Sequence, residues 1–580
     1  MNAQPVGTAT HAAAIDDSSS PERRGWGLAA AILATAVAML VAPGAWTAGP
    51  ASLEVDYLGT RVASADVELG TEGPVRVDAR SGADALTLSF PDGIPTGEAI
   101  RGTLTVERNG ARVRPALDEA TITLAFPDGT TEPIPLLAWD DEQQALVATR
   151  HPPVQAATAL GLLAAAVVLW VTVAIPLFAT AIAIPVVLAV SGVAGPVEAL
   201  SPFFHPIIAL FFAGFLLAEA MRRVDLDRWV ATTVIRLAGR SPASLFVALM
   251  ATAAFLSMWM SNTAAVAVLI PIALAVAAPI GHPGFTKVLV LGTAYAATIG
   301  GVGSAIGTPA NLLAIEFLDT FAVREITFAG WFGYGLPMVA VFLPFLGVYL
   351  WWRYGVRVPA ETADGLRDAA RAHVTGEAFG RDRARVLAVF AAVAATWLLQ
   401  SWHGIHPGLV ALGGVVVLAL TRDVREDDLS RINWTALLTF GGGLTLGLAL
   451  TTTGVADWIA SRLGGLGGLP DPVAVAIVAA VTLLLTTVAS NTASAVTLIP
   501  LAIPLAGLLG VDVTTLVVVV AIASSIDFAL IIGTPPTMLA YSTGLFRPAE
   551  ILRAGAVLDL LGLALLLTVV TSIWRELGLV

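Results

Sequence analysis

Residues 154–574 contain a succession of apolar runs, each about 20 residues long, that short polar loops separate. A helix of that length crosses the hydrocarbon core of a bilayer, which is roughly 30 Å thick. Only 13% of all residues are charged, against about 25% in soluble proteins. We therefore predict an all-α polytopic membrane protein and exclude the disordered, fibrous and nucleic-acid-binding classes. The clear candidate spans are 154–172, 176–195, 204–221, 288–317, 329–352, 384–400, 404–421, 433–452, 514–543 and 553–574.

The chain before residue 154 has a different composition. Residues 1–25 are polar and are predicted to be a disordered cytoplasmic leader, and the apolar run 26–46 is predicted to be the first transmembrane helix. A cleavable signal peptide is the alternative for 26–46, because a stretch rich in Pro, Gly and Ala follows it. Residues 50–150 contain alternating apolar and polar runs, and the Asn-Gly pair at 109–110 is typical of a hairpin turn. We predict a small all-β domain outside the membrane, with its role as cap or sensor left open.

Arginine residues cluster in alternate loops, and this pattern predicts the orientation of the chain. The loops that hold most of the arginines after residue 150 are 222–240, 353–385, 422–431 and 547–553. The intervening loops carry only Arg324 and Arg462. Because basic loops stay in the cytoplasm, the N-terminus is predicted inside and the C-terminus outside, in an integral protein of the cell membrane with about 11 spans. Residues 50–150 are then extracytoplasmic, and 353–383 form a cytoplasmic linker.

Two polar motifs each occur twice, in the same order and at nearly the same spacing. Ser-Asn-Thr-Ala at 261–264 recurs at 490–493. Gly-Thr-Pro at 307–309 follows the first copy and recurs at 533–535, where it follows the second. Matched copies of two motifs in otherwise apolar sequence indicate a duplicated unit.

Each Ser-Asn-Thr motif lies near the middle of an uncharged run of about 40 residues, at 241–281 and 472–511. Each run is interpreted either as two ordinary spans or as a re-entrant hairpin with its tip at the midplane. The first run is entered and left on the arginine-rich side, and the second is bounded on the opposite side. This pattern favours hairpins and an inverted repeat, with a first transport repeat at 154–352 and a second at 384–580.

Each Gly-Thr-Pro motif interrupts a long apolar helix. Proline removes an amide and frees carbonyl groups one turn earlier, and broken backbone at membrane depth occurs only where it is buried or lines a cavity. Those carbonyls, together with Ser, Thr and Asn oxygens, suit Na⁺, and free amides at half-helix N-termini suit an anion. The four motifs contain no Lys or Arg. A site for a charged anion must therefore rest on helix ends, hydroxyls, amides and bound cations.

These motifs resemble those of the divalent anion:sodium symporter family, the Na⁺-coupled dicarboxylate, citrate and sulfate transporters. The resemblance covers roughly residues 150–580 and is supported by the stretches 170–176 and 209–221. It implies two re-entrant hairpins, two broken helices, and an elevator-type motion of a transport domain against a scaffold. It also implies two Na⁺ sites, a small anionic substrate and a homodimer in membrane lipid, with no nucleic-acid partner.

The family's binding roles carry over to the positions of this chain that match its motifs. The first Na⁺ site would comprise Ser257, Ser261, Asn262 and Gly307, and the second would comprise Thr486, Ala489, Asn491 and Gly533. The anion would contact Asn262, Thr263, Thr308, Asn491, Thr492 and Thr534. Ser257 and Thr486 each precede the motif serine by one helical turn, which places a hydroxyl on the same face.

Three positions depart from the family pattern. Val173 stands where the family usually has Glu, and Thr537 stands where it usually has Asn. Asp527 is an unexpected acid in a predicted span, and an acid at membrane depth is a functional candidate. Three interpretations of Asp527 are a cation ligand or proton carrier, a structural partner of Ser524 or Ser525, and a location nearer the outer surface.

The predicted function is secondary active transport of a divalent anion (a dicarboxylate, tricarboxylate or sulfate) with Na⁺. An H⁺-coupled transporter or anion exchanger of the same fold is one alternative. A membrane receptor with a β sensor domain is the alternative from another class. Enzymatic function is not expected, because cysteine is absent and none of the 7 His shares a span with a second His or a matched acid.

Overall fold

A computed structural model describes most of the chain. The described residues are 21–41, 49–57, 60–69, 74–81, 84–91, 100–108, 111–113, 120–125, 127, 131–134, 136–140, 145–150, 153–238, 241–321, 323–357, 379–462 and 469–580. The predictions for residues 1–20, for the 109–110 turn and for most of the linker 353–383 therefore lie outside them.

Helix α1 spans Pro21–Val41, so it begins ahead of the predicted helix at 26–46. Proline fits the first turn of a helix because its missing amide would be unpaired there. An acidic residue, here Glu22, also stabilises a helix N-terminus. These two local signals extend the helix into polar sequence that hydropathy alone assigns to the leader.

Ten antiparallel strands follow α1 and form two sheets. They are β1 Gly49–Tyr57, β2 Thr60–Leu69, β3 Val75–Ser81, β4 Asp84–Phe90, β5 Ile100–Arg108, β6 Ala111–Val113, β7 Ala120–Ala125, β8 Thr131–Ile134, β9 Leu136–Asp140 and β10 Ala145–Arg150. One sheet has the order β2-β1-β7-β8, and the other has the order β3-β4-β5-β10-β9 with β6 paired to β5. Alternate residues of β4 are buried, as expected for a strand with one face on a core.

The two sheets share one apolar core, which contains Leu53 and Ile122 from the first sheet and Leu88 and Leu104 from the second. Asp84 is buried at its edge, where it accepts hydrogen bonds from Arg108 at 2.7 and 2.8 Å and from the Tyr57 hydroxyl at 3.1 Å. Hydrogen bonding to Arg108 lowers the pKa of Asp84 below its usual range. These hydrogen bonds stabilise the ionised carboxylate of Asp84 at the edge of the core.

The first half of the remaining chain is helical. Its helices are α2 Pro153–Thr172, α3 Leu177–Val190, α4 Pro196–Leu200, α5 Pro206–Arg223, α6 Leu226–Ala238, α7 Pro242–Ser257, α8 Asn262–Ala277, α9 Pro283–Gly300, α10 Pro309–Thr320 and α11 Trp331–Arg353. Helices α7 and α8 meet at the Ser-Asn-Thr motif. Helices α9 and α10 are separated by a break at 301–308, immediately before the proline of the first Gly-Thr-Pro motif.

The second half repeats this order. Its helices are α12 Arg381–Leu398, α13 Gln400–His403, α14 Pro407–Leu420, α15 Trp434–Thr452, α16 Val455–Arg462, α17 Asp471–Val488, α18 Asn491–Leu509, α19 Val513–Ala523, α20 Pro535–Ser542, α21 Pro548–Leu565 and α22 Thr571–Glu576. Helices α17 and α18 correspond to α7 and α8. Helices α19 and α20 correspond to α9 and α10, with a break at 524–534.

Seven helical segments among the described residues are apolar and long enough to cross a membrane. They are Val154–Thr172, Pro196–Arg223, Pro283–Gly303, Trp331–Arg353, Trp434–Thr452, Asp471–Val488 and Pro548–Glu576. Further apolar helices, including α7 and α8, are shorter. The chain is therefore a multi-pass membrane protein, and the total of about 11 spans stays a prediction.

The helices that lead into the breaks lie at the centre of the helical part. Every residue of α19 and most residues of α9 are buried, as in helices surrounded by protein on all sides. The two halves also interlock. Helix α20 of the second half packs on α8 and α9 of the first, and α10 of the first packs on α18 and α19 of the second.

Candidate binding site for an anion and cations

A cavity of about 290 Å³ lies where the two halves interlock. Its walls include all three residues of both Ser-Asn-Thr motifs and of both Gly-Thr-Pro motifs. The motif residues are Ser261, Asn262, Thr263, Gly307, Thr308, Pro309, Ser490, Asn491, Thr492, Gly533, Thr534 and Pro535. Segments that lie far apart in the sequence, in opposite halves of the chain, thus meet at one place.

Five helices begin at this cavity. They are α8, α10, α15, α18 and α20, and the first residues or N-caps of all five line it. Ser261 Oγ accepts a hydrogen bond from the Ala264 amide at 3.2 Å, and Ser490 Oγ accepts one from the Ala493 amide at 3.1 Å. Each helix N-terminus carries a partial positive charge and exposed amides. Their convergence makes the cavity suitable for an anion.

None of the described residues that line the cavity is ionisable. The polar groups in its walls are the hydroxyls and amides of Ser, Thr and Asn, together with an indole N–H and backbone groups. An isolated anion buried among neutral groups loses much of its solvation energy. The cavity therefore needs additional positive charge to hold a doubly charged anion, and bound cations are a natural source of it.

The first helix break lies directly against the first Ser-Asn-Thr motif. Ser257 Oγ, at the end of α7, donates a hydrogen bond to Asn262 Oδ1 at 2.5 Å. A Cβ at Gly301 would lie 2.6 Å from Asn262 Oδ1 and 2.9 Å from the Gly307 carbonyl oxygen. Glycine is thus the residue that leaves this space open. Ser257, Asn262 and Gly307 bring oxygen atoms to its edge.

Asn311 holds the first break in shape. Its side-chain amide, fully buried, donates to the carbonyl oxygens of Gly301, Val302 and Ser304 at 3.1, 3.2 and 2.6 Å. Trp331 Nε1 donates to the Val302 carbonyl at 2.9 Å. These bonds satisfy backbone groups that the break would otherwise leave unpaired in an apolar environment.

The second Ser-Asn-Thr motif has equivalent contacts. Thr486 Oγ1, at the same position in α17 as Ser257 in α7, lies 3.0 Å from Asn491 Oδ1 and 2.6 Å from the Ser524 carbonyl oxygen. Ala489 is buried at the C-cap of α17. The Thr534 hydroxyl lies 2.8 Å from that of Thr537.

The second break is held by a different residue. Thr537 occupies the position of Asn311, and its side chain is too short to reach several carbonyls. Instead Asp559, in α21, accepts hydrogen bonds from the Phe528 and Ala529 amides at 2.8 and 3.1 Å. The departure at Thr537 thus coincides with a replacement of the bonds that hold the break.

Asp527 lies inside this second break and is fully buried. A Cβ at Gly533 would overlap its carboxylate, so the two residues are in close contact. Neither carboxylate oxygen has a hydrogen-bond partner in the described part of the chain, and Ser524 Oγ donates to the Ala521 carbonyl instead. The interpretation of Asp527 as a partner of Ser524 or Ser525 is therefore wrong, whereas its depth in the membrane stays a prediction.

The structure places the predicted site residues in two layers. The six predicted anion contacts all line the cavity, and so do Ser261, Gly307 and Gly533. Ser257, Thr486 and Ala489 are outside the lining; the first two lie behind the motif asparagines and bond to them. Three of the candidate cation ligands thus lie behind the cavity wall, whereas the other five and all six candidate anion ligands are part of that wall.

Several lining residues were missed by the sequence analysis. They are Leu177, Phe211, Gly214, Phe215, Trp259, Met260, Ile306, Asn433, Thr435, Ala436, Thr439 and Pro536. Thr439 Oγ1 and Trp259 Nε1 are buried without a partner among the described residues, so both are free to bind a ligand. The polar residues 433, 435 and 439 at the start of an apolar helix were the only available signal in the sequence.

A second, larger cavity of about 870 Å³ adjoins the first and shares Ser261 and Thr263 with it. One wall is the face of α8 that includes Ala267 and Pro271, and the other carries Arg222 and Arg228 with nearby acidic residues. The tip between α7 and α8 therefore separates the central cavity from this second cavity, which lies beside Arg222 and Arg228.

Comparison with known proteins places this geometry in context. The citrate transporter family matches residues 167–510 and 399–578. The sodium-dependent dicarboxylate transporter SdcS of Staphylococcus saprophyticus is 32% identical over 432 residues, which cover 69% of this chain and 83% of that protein. An uncharacterized transporter of Haemophilus influenzae is 31% identical over 453 residues, which cover 73% of this chain and 93% of that protein.

Among solved structures, a similarity extends to MtrF of Neisseria gonorrhoeae, described as illuminating a class of antimetabolite efflux pumps. The TM-score is 0.44 at 12% sequence identity, and the match covers 67% of this chain and 84% of that one.

Proposed function

The chain belongs to the divalent anion:sodium symporter family of the citrate transporters, and from this premise we propose that it carries a divalent anion across the membrane together with Na⁺. It is a secondary transporter and not an enzyme. The proposed substrates are dicarboxylates, tricarboxylates and sulfate, with dicarboxylates favoured because two of the most similar relatives are named sodium-dependent dicarboxylate transporters.

One observation carries this proposal: both copies of both motifs line a single cavity, and none of the described residues in its lining is ionisable. Five helix N-termini supply partial positive charge, equivalent to roughly half an elementary charge each before solvent screening. Two bound Na⁺ ions add full charges close to the same place. Cations and anion then stabilise each other, which is the physical basis of coupled transport.

Each proposed Na⁺ site joins residues of the cavity wall to residues directly behind that wall. The first comprises Ser257, Ser261, Asn262 and Gly307, and the second comprises Thr486, Ala489, Asn491 and Gly533. Both offer side-chain and carbonyl oxygens, which are the ligands that hard cations prefer. The anion then lies in front, against Asn262, Thr263, Thr308, Asn491, Thr492 and Thr534.

The α7–α8 and α17–α18 pairs are proposed to be re-entrant hairpins. In an inverted repeat, two pairs of complete spans would place their connecting tips at opposite membrane faces, roughly 30 Å apart. Residues 259–261 of the first tip and Ser490 of the second instead line the same cavity. Helices α7 and α8, with 16 residues each, are also shorter than the about 20 residues of a full span. Helices α17 and α18, with 18 and 19 residues, approach that length, so the proposal for the second pair rests on the shared cavity alone.

Ion pairs support the proposed grouping of the loops on two opposite faces. Arg223 pairs with Asp428, and Arg431 lies 3.1 Å from Glu219, which joins two loops assigned to the cytoplasm. Lys287 lies 2.7 Å from Glu550, so two further segments on the predicted inner side meet. On the other side, the Tyr334 hydroxyl and the Arg324 guanidinium both donate to the Leu579 carbonyl.

Elevator-type motion and a homodimer are part of the proposal. The hairpins and broken helices of both halves interlock, as α20 on α8 and α10 on α18. Such a unit can move as one body and carry the whole site with it. The remaining helices would form the scaffold and the dimer contact.

Uptake into proteoliposomes tests the proposed function. Labelled succinate, citrate and sulfate would be offered with an inward Na⁺ gradient, with choline replacing Na⁺, and with an inward proton gradient alone. We expect concentrative dicarboxylate uptake only with Na⁺. Uptake driven by protons alone, or only by exchange for an internal anion, would favour the alternative coupling modes, and no uptake with specific external binding would favour a receptor.

Replacement of Thr439 by valine is expected to weaken anion binding. The valine keeps the shape of the side chain and removes the unpartnered hydroxyl, so we expect the KM for the anion to rise about tenfold at unchanged Na⁺ affinity. Thr445→Val is the matched control on the same helix. Its hydroxyl bonds the Gly441 and Ala199 carbonyls away from the cavity, so its KM should stay at the wild-type value. If the two variants have equal KM values for the anion, Thr439 does not contact the anion.

Cysteine labelling tests the orientation, since the chain has 0 Cys. In intact cells, Thr60→Cys on the exposed end of β2 is expected to react with a membrane-impermeant maleimide, because the strands are placed outside. Glu426→Cys, in the arginine-rich loop 422–431, is expected to react only after permeabilisation. The reverse pattern would invert the proposed topology.

A further inference from the structure

Asp527 and Gly301 occupy equivalent positions of the two repeats. Asp527 precedes Gly533 of the second Gly-Thr-Pro motif by the same number of positions as Gly301 precedes Gly307 of the first. In the first repeat, the space beyond the Gly301 Cα is bordered by Asn262 Oδ1 and the Gly307 carbonyl oxygen. In the second repeat, a carboxylate extends from the same point, and it lies against Gly533, the counterpart of Gly307.

This carboxylate has no counter-charge in the part of the chain that the structure describes. Both oxygens are buried without a hydrogen-bond partner in the described residues. The nearby carboxylate of Asp559 differs, since both of its oxygens accept backbone amides. Ser525 Oγ is likewise buried and unpartnered among these residues. A buried carboxylate with two free acceptor oxygens must either bind a cation or take up a proton, because an unpaired charge at membrane depth is strongly destabilising.

From this geometry we infer that Asp527 is a ligand of the cation at the second site and supplies it with a charged oxygen. The inference rests on the proposed Na⁺ coupling. The oxygen atoms of Thr486 and Asn491 lie 3.0 Å apart next to the carbonyl of Ser524, in the same break as Asp527. Those neutral oxygens and the Asp527 carboxylate together form an all-oxygen site, which suits Na⁺.

The carboxylate would face a cation and not the anion. It repels negative charge, and it is outside the lining of the central cavity, behind Gly533. The two cation sites then differ in kind. The first is built from neutral oxygens and contributes its full charge to the anion, whereas the charge of the second cation is largely neutralised by Asp527.

The test measures Na⁺ binding directly, with purified full-length protein. The melting temperature would be followed as Na⁺ replaces choline at constant ionic strength, without the anion. Asp527→Asn keeps the size of the side chain, and Asp527→Gly restores the residue that the first repeat carries at this position. We expect both variants to require about tenfold more Na⁺ or more for half-maximal stabilisation.

Asp559→Asn is the matched control, because it removes a nearby buried carboxylate that already has two amide partners. It should lower the melting temperature without Na⁺ and change the Na⁺ midpoint less than either Asp527 variant. If Asp559→Asn changes the Na⁺ midpoint as much as the Asp527 variants do, the effect comes from the loss of any nearby negative charge. That result would overturn ligation by Asp527. Unchanged midpoints in the Asp527 variants would also overturn it and leave the proposed Na⁺ coupling intact. Wild-type protein without any Na⁺-dependent stabilisation would instead overturn the coupling, and this inference with it.

Discussion

Replacing Asn262 or Asn491 by alanine is expected to reduce anion uptake by about 100-fold or more while the protein remains folded. Each side chain lies between the two layers of the site. Its Oδ1 atom is bonded by the hydroxyl of Ser257 or Thr486, and its residue lines the central cavity. One substitution would therefore remove a proposed cation ligand and a proposed anion ligand together, and a buried polar partner loses its bond as well.

The measurement is uptake in proteoliposomes together with the Na⁺ dependence of the melting temperature. Ser572→Ala, at an exposed hydroxyl far from the cavity, serves as the control with wild-type uptake. Asn311→Ala is the comparison for a purely structural asparagine, since it releases three carbonyls and should lower the melting temperature most. Wild-type uptake and Na⁺ response in Asn262→Ala or Asn491→Ala would exclude these asparagines from the site.

Replacing Gly307 by alanine is expected to abolish Na⁺ binding at the first site. A Cβ at this position would overlap the Gly301 carbonyl oxygen and lie 2.8 Å from the Gly301 Cα. Both are backbone atoms that cannot rotate away, so the break itself would have to move. Such overpacking typically costs about 1–3 kcal/mol of stability. The shift would also displace the oxygen atoms of the first proposed cation site.

The same melting-temperature titration with Na⁺ measures this effect. Gly413→Ala, within α14, is the matched control, because a Cβ at Gly413 meets nothing within 4 Å. Alanine in a helix interior is favoured over glycine by roughly 0.5–1 kcal/mol, so this control should be slightly stabilised. A Gly307→Ala protein that keeps the wild-type Na⁺ midpoint would show that the break tolerates a methyl group and does not form the cation site.

The location of the site could be predicted from the sequence because the repeat marks it twice. Ser-Asn-Thr and Gly-Thr-Pro are conspicuous in apolar segments, and proline leaves few ways to continue a helix. The breaks before Pro309 and Pro535 therefore agree with the sequence interpretation. The family resemblance is confirmed by the comparisons with known proteins.

The rest of the site depends on tertiary packing, which local sequence does not encode. Thr439 contributes to the cavity because α15 happens to start there, and its single hydroxyl resembles many others in apolar helices. The two hydrogen bonds of Asp559 could not be predicted either, since their donors are backbone amides, which the sequence does not distinguish from any others. For Asp527, the adjacent serines suggested local bonds, whereas the structure turns the carboxylate toward Gly533 and away from them.

The two breaks differ in where their supporting residues lie along the chain, and this difference affects biosynthesis. Asn311 follows the first of its backbone partners by 10 residues, whereas Asp559 follows Phe528 by 31. Because the ribosome synthesises the chain from its N-terminus, the bonds between Asn311 and the first break can form soon after α10 is made. The second break waits for α21, whose Asp559 is made 31 residues after Phe528. Truncation before α21 would therefore leave a nascent chain with one half prepared and the other without its supporting bonds.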